Sequence, residues 1–163
     1  MRLLPVCKAD LPAILALQKT AFADEARLVG DWSIPPLTQT LSELAEDLRK
    51  GVMLKALNER NELVGTVRAL TAGLGVHIGR LAVLPQGRGR GYGLALLQAI
   101  MAATTASRYE LFTSSQSESN LRLYQRFGFR PFKRTLTASG VELIWLEKTA
   151  TSNAGKDRNF KTG

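Results

Sequence analysis

The sequence predicts an α/β (α+β) domain built on a mixed, mostly antiparallel central sheet flanked by helices. Three observations predict it. First, apolar residues pass between helical spacing and strand-like runs in the order β-α-α-β-β-β-α-β-α-β-β. Second, two apolar pairs of runs are interrupted by turn signals, at residues 58–62 and at Ser139 and Gly140. Third, an apolar strand, a glycine bend and an apolar helix follow one another in "LAVLPQGRGRGYGLALLQAI", residues 81–100. A length of 163 residues suits one domain with its own core. That domain is expected over 1–149, with a polar, aperiodic and flexible tail over 150–163.

Each element has a local reason. In "ADLPAILALQKTAF", Asp10 is the expected N-cap, and Leu11, Ile14, Leu15, Leu17 and Gln18 keep a helical rhythm to about residue 23. "ADEARLVGDWSIPP" holds Gly30, Pro35 and Pro36 and reads as a loop or broken helix. "TQTLSELAEDLRKG" reads as a second helix, capped by Thr38 or Thr40, with Leu41, Leu44, Ala45 and Leu48 in one stripe and Lys50 and Gly51 at its end. Glu43, Glu46 and Asp47 are expected on its solvated face.

"VMLKALNERNELVGTVRAL" is two strands around a hairpin, and "VHIGRLAVL" is a third, ended by Pro85. A helix is expected from Leu94 to about Ala106, with Leu96, Leu97, Ile100 and Met101 apolar. "YELFTSS" is a short strand. "SESNLRLYQRFGF" is a helix capped by Ser117 or Ser119 and stopped at Gly128. "RPFKRTLTASGVELIWLEKT" closes the order as a hairpin.

Composition excludes several classes. No apolar stretch reaches the roughly 18 residues a membrane span needs. The N-terminus meets Lys8, Asp10 and Pro12 too soon for the apolar core of a signal peptide. Cys7 is the only cysteine, so no internal disulfide forms, which fits a reducing, cytoplasmic setting. With one histidine, no ordinary zinc site is expected and no metal is required.

Charge is unevenly placed. The net charge is +8, yet residues 1–79 hold nine basic and nine acidic side chains, while residues 80–134 hold nine basic and two acidic. The excess surrounds the glycine bend, where it would attract an anion. Glycines let backbone approach a phosphate, and the first N–H groups of the following helix point at it. A Walker loop needs Lys and Ser or Thr after its last glycine, but Leu94 follows Gly93. The dinucleotide pattern G-x-G-x-x-G fails as well, because Tyr92 or Leu94 occupies its last position. R-x-x-G-x-G fits, as Arg88-Gly89-Arg90-Gly91-Tyr92-Gly93.

"IGRLAVLPQGRGRGYGLALL" (78–97) and "SESNLRLYQRFGFRPF" (117–132) resemble two motifs of the GNAT superfamily, the acyl-CoA-dependent N-acetyltransferases. The element order agrees with that fold over roughly 1–149. The resemblance implies a cytoplasmic enzyme that uses acetyl-CoA as cosubstrate and acetylates a primary amine by direct attack in a ternary complex. It implies that the main chain of Leu81, Ala82 and Val83 pairs with the pantetheine arm. The N–H groups of Arg88, Gly89, Arg90, Gly91, Tyr92, Gly93 and Leu94 would hold the pyrophosphate, with Gly91 and Gly93 the critical pair. Arg88 and Arg90 are free to add charge, and Arg122 and Arg126 either help with the 3′-phosphate or are solvated.

Asn120 and Tyr124 are i,i+4 neighbours on one helix face. By resemblance Asn120 contacts the pantetheine arm and Tyr124 protonates the departing thiolate. A phenol with an ordinary pKa near 10 suits that task. A core role for Tyr124 is the alternative. The base is open. His77 precedes Leu81 by four residues, and an unperturbed imidazole suits the task, but the carboxylate many family members carry nearby is missing between Glu62 and Glu110. A structural histidine or a water chain stands beside it.

For the acceptor, Asp24, Glu25, Asp31 and Trp32 between the first two helices would suit a cationic amine. Arg80 would instead meet a carboxylate, as on an amino acid or peptide terminus. Two competing readings remain: a nucleic-acid-binding module using the Arg/Gly segment, disfavoured by its apolar flanks, and an inactive acyl-CoA sensor, disfavoured by Asn120 and Tyr124. Dimers are common in the family, but no sequence feature selects a homodimer.

Overall fold

The structure, a computed structural model, describes residues 1–149. The expected flexible tail over 150–163 lies outside the described residues. Seven strands are hydrogen-bonded in the order β1-β2-β3-β4-β5-β7-β6. They are β1 (Arg2–Pro5), β2 (Val52–Leu57), β3 (Leu63–Ala72), β4 (Gly75–Val83), β5 (Arg108–Ser114), β6 (Arg130–Leu136) and β7 (Glu142–Thr149). Pairing is antiparallel for β1–β2, β2–β3, β5–β7 and β6–β7, and parallel for β4–β5. The helices are α1 (Leu11–Val29), α2 (Pro35–Thr38), α3 (Leu41–Lys50), α4 (Tyr92–Ala102) and α5 (Glu118–Arg126).

The chain divides into two compact units. The first comprises Met1–Leu70 and Ile78–Thr104. Its sheet faces are set by the register of β2 on β3, in which Met53 faces Arg68 and Ala56 faces Gly65. Because side chains alternate along a strand, Met53 and Arg68 share one face and Gly65 lies on the other. On the first face Met53 packs with Val6, Leu11, Ile14 and Leu44, so α1 and α3 cover it. Ala82 of β4 packs with Leu17 and Ala21 of α1. On the other face α4 brings in buried Leu96, Leu97 and Ile100. A Cβ at Gly65 would lie 2.9 Å from Leu96 Cδ1, so this strand position must stay bare for α4 to seat.

Several ends differ from expectation. The first helix continues to Val29, six residues past its expected end. Gly30 adopts φ +70° and caps it, its N–H donating to the Ala26 carbonyl. Pro35 and Pro36 do not break this helix; they start α2, where their missing N–H groups cost nothing. Asp10 occupies the expected N-cap position of α1, but its side chain does not bond the helix. Its carboxylate accepts from the Cys7 N–H at 2.8 Å and from Lys55 Nζ at 2.9 Å. Thr40 caps α3 in a reciprocal box, accepting from the Glu43 N–H while Glu43 accepts from the Thr40 N–H. The helix after the glycine bend starts at Tyr92 and ends at Ala102, earlier than expected at both ends.

The second unit comprises Thr71–His77 and Thr105–Gly163, described to residue 149. Leu111, Ile144, Leu146 and Phe129 are buried in it. Helix α5 stops at Gly128 (φ +96°), beyond which the Phe129 N–H returns to the Tyr124 carbonyl at 3.0 Å. Gly140 (φ +86°) turns β6 into β7. Among the described residues no helix is long and apolar enough to cross a membrane.

Candidate active site

In the first unit, β4 ends at Val83 and a 3-10 turn over Pro85–Gly87 leads into the glycine bend. The bend is shaped by two left-handed residues, Gly89 (φ +75°) and Gly91 (φ +87°). Only glycine occupies that region without strain. Gly93 lies within the first turn of α4, one residue after Tyr92. A Cβ built on Gly89 or Gly91 meets nothing within 4 Å, so both face open space. The first helical bond of α4 runs from the Ala95 N–H to the Gly91 carbonyl at 3.0 Å. The N–H groups of Tyr92, Gly93 and Leu94 precede it in the first turn, where no partner lies within the helix itself. They carry the positive end of the α4 dipole. No acidic side chain occurs between residues 85 and 94, so nothing local competes for that potential. This arrangement fits an anionic pyrophosphate.

Arg88 is not the free cation expected. Its guanidinium is held by the Val83 carbonyl at 3.2 Å, the Ala21 carbonyl at 3.1 Å and Asp24 Oδ2 at 2.5 Å. It therefore ties the end of β4 and the bend to α1. Arg90 is exposed. Asp24 is correspondingly committed: hydrogen bonds from Arg88 first, then Arg27, hold its carboxyl below the usual carboxylate range. A carboxylate so occupied offers little to a cationic acceptor. Glu25 is half-buried, and burial pushes its carboxyl up. Asp31 accepts from the Ser33 N–H at 2.9 Å and from Ser33 Oγ at 2.6 Å, shaping its own turn. Trp32 is 56% exposed, with the Arg27 guanidinium 5.7 Å from its ring centre.

Beside these lies a buried polar cluster that the sequence reading missed. Gln18 Nε2 donates to the Pro36 carbonyl at 3.0 Å and to Gln39 Oε1 at 2.9 Å. Gln39 Nε2 donates to Asp47 Oδ2 at 2.7 Å, and the same oxygen accepts from Arg68 Nη1. Asp47 therefore does not lie on a solvated face; it is the counter-ion of Arg68, and their side chains are 19% and 11% exposed. Arg80 approaches from β4 in a left-handed conformation, φ +52°. Burial first, and then the charge of Arg68, push its guanidinium down to about 10, with Asp47 opposing. The Nε atoms of Arg68 and Arg80 and the Oε1 of Gln18 are buried without a partner. Gln18 alone gave a signal, as a polar residue on the apolar stripe of α1. The other members come from α3, β3, β4 and the loop before α3, so no sequence window contains them.

In the second unit, α5 presents Tyr124 buried and Asn120 half-buried on one face, with Arg122 and Arg126 exposed. The Tyr124 ring packs edge-on against Phe129, centroids 6.3 Å apart. Asn120 Nδ2 donates to Thr113 Oγ1 at 3.3 Å, which anchors α5 to β5. His77 pairs in register with Glu110, and its Nδ1 lies 3.7 Å from Glu110 Oε1. The expected gap in nearby carboxylates is filled in space by this residue. The imidazole also packs against Phe112 and Trp145, at 5.5 and 5.9 Å. Arg108 shares Glu110, at 3.2 Å. Among the described residues, no group of three or more His, Cys, Asp and Glu is placed to hold a metal ion.

Residues 50–131 match the family model described as "Acetyltransferase (GNAT) domain". Among solved structures, the chain resembles the ribosomal-protein-S18-alanine N-acetyltransferase of Escherichia coli at 15% identity and a TM-score of 0.72, covering 91% of this chain and 92% of that one. It resembles a ribosomal-protein-alanine N-acetyltransferase of Brucella melitensis at 16% identity and a TM-score of 0.74, covering 91% and 99%. A phosphinothricin acetyltransferase of Sinorhizobium meliloti, solved in complex with AcCoA, matches at 18% identity and a TM-score of 0.72, covering 91% and 87%. At these identities the likeness establishes the fold.

Proposed function

The chain belongs to the GNAT acetyltransferase family and is an acyltransferase, and on that premise we propose that it moves acetyl from acetyl-CoA to a primary amine by direct attack. The observation that carries this reading is the bend at residues 87–94. Two left-handed glycines, the N-terminus of α4 and the absence of acidic side chains suit a pyrophosphate. Leu81, Ala82 and Val83 supply main-chain partners for the pantetheine arm, and Asn120 supplies an amide. The domain of this activity is residues 1–149.

Bound acetyl-CoA supplies an activated acetyl thioester. The protein's tasks are then to hold it, to polarise its carbonyl and to manage two protons. The Val83 region offers a strand N–H to the developing oxyanion. The attacking amine must be neutral, and an alkylammonium has an ordinary pKa near 10. His77 takes its proton, and Glu110, 3.7 Å from Nδ1, supports the imidazolium. As the carbon–nitrogen bond forms and the carbon–sulfur bond breaks, the Tyr124 hydroxyl gives its proton to the leaving sulfur. The acid limb of the pH profile of kcat/KM should vanish in His77→Gln; its survival removes His77 as the base.

The reading is tested by mixing the protein with acetyl-CoA and a panel of primary amines and following free thiol. Amine-dependent thiol release is expected. Binding of acetyl-CoA without release on any amine would contradict the enzymatic reading and favour a sensor.

A further inference from the structure

We infer that Arg80, together with Arg68, holds the carboxylate of the acceptor, so that the enzyme acetylates a small amine of amino-acid type and not a polyamine. The inference rests on the acetyltransferase reading above and names the substrate class of its acceptor site.

Four observations carry it. First, the Arg80 Nε is buried without a hydrogen-bond partner. Arg68 is anchored through Nη1 on Asp47, yet its own Nε is also buried and unpartnered. Buried guanidinium donors are almost always satisfied, so two orphans in one cluster point to an acceptor that binds there. Second, the charge does not balance. The charges that act on Arg80 are Arg68 and Asp47, which leaves the three residues with one uncompensated positive charge. A half-buried charge without a partner is costly, and an anion would neutralise it.

Third, Arg80 holds φ +52° inside a strand, immediately before Leu81, Ala82 and Val83. A non-glycine residue in that region is strained, and such strain gathers at binding sites. The Arg80 guanidinium lies near enough to Arg68 and Asp47 to feel both charges, and the residue directly precedes the strand segment proposed to hold the donor. Fourth, Gln18, Gln39 and Asp47 fix Arg68 through a continuous chain of hydrogen bonds, so this cation is preorganised. One net positive charge and paired N–H donors match a carboxylate, which has one charge and two acceptor oxygens. A phosphate dianion would overcompensate the cluster, and a polyamine would be repelled by it.

The test uses the full chain with acetyl-CoA and matched acceptors: the L-amino acids, the same amino acids as carboxamides, and spermidine. Acetyl-CoA affinity is measured separately by calorimetry. For wild type, kcat/KM should favour carboxylates over their carboxamides by about tenfold or more, mainly through KM. Arg80→Gln should bring that ratio close to one and leave acetyl-CoA affinity unchanged. Arg80→Lys, which keeps the charge but loses the fork, should retain part of the preference. The inference is overturned if wild type turns over no carboxylate-bearing member, if it favours carboxamides or spermidine, or if Arg80→Gln keeps the ratio. Should Arg80→Gln not fold, the wild-type ratio alone decides. Failure of wild type to bind acetyl-CoA would instead overturn the donor reading, and this inference with it.

Discussion

Replacing Gly91 by alanine separates a cost of folding from a cost of binding. Gly91 sits at φ +87°, and a Cβ placed there meets no protein atom within 4 Å. The folded protein therefore pays only backbone strain, about 1–2 kcal/mol for an L-residue in the left-handed region. For a chain of this size that lowers Tm by roughly 2–8 °C. The open space beside the Cα is where the pyrophosphate is proposed to lie. A methyl group would displace it and forfeit at least one hydrogen bond to a charged group, about 1.5–3 kcal/mol. The acetyl-CoA Kd should then rise roughly 10- to 100-fold. Gly140 is a matched control, with φ +86° and the same open surroundings, but in the β6–β7 turn. Gly140→Ala should lose similar stability and no affinity. Calorimetry on both variants below their melting temperatures provides the assay. An unchanged Kd in Gly91→Ala, or equal losses of affinity in both, would refute the assignment of the bend.

Tyr124→Phe keeps the buried ring and removes the hydroxyl. It should lower kcat by about 100-fold or more while acetyl-CoA affinity stays constant, and an unchanged kcat would remove Tyr124 as the acid. Asp47→Asn strands the Arg68 guanidinium in the interior and should cost about 3 kcal/mol, or roughly 6–12 °C in Tm. By contrast, Glu46→Gln breaks only exposed pairs with Arg49 and Lys50 and should leave the urea midpoint nearly unchanged; equal losses in urea unfolding would contradict the buried network. Glu25 has its carboxyl raised by burial, so the folded state prefers the protonated form. Its ionisation removes stability as pH rises through the window above the ordinary value of 4.5. Glu25→Gln should therefore raise Tm at neutral pH and lose that advantage below the window; a Tm difference independent of pH would refute this.

What could be read from the sequence followed from local rules. The bend at 87–94 and the pair Asn120 and Tyr124 are contiguous or one helical turn apart, so spacing alone grouped them. Thr40 and Gly128 acted as caps because their chemistry is local. Errors arose where tertiary context chose between permitted outcomes. The apolar rhythm of α1 fades near residue 23, yet the helix runs to Val29 before Gly30 caps it. Asp10 is the N-cap residue of α1, as expected, but its carboxylate is taken by the Cys7 N–H and by Lys55, forty-five residues away. Arg88 reads as a free cation until Asp24 and two carbonyls meet it. Asp47 sits on an amphipathic helix as any surface acid would, and only the register of β3 supplies Arg68 beneath it. The helix after the bend begins at Tyr92, two residues before its apolar run suggests.

Calorimetric titration of the wild-type protein with acetyl-CoA tests the central claim most directly. One molecule should bind per chain, with a Kd in the range of about 1 μM to 1 mM common for enzyme substrates. Absence of binding at millimolar acetyl-CoA would contradict it.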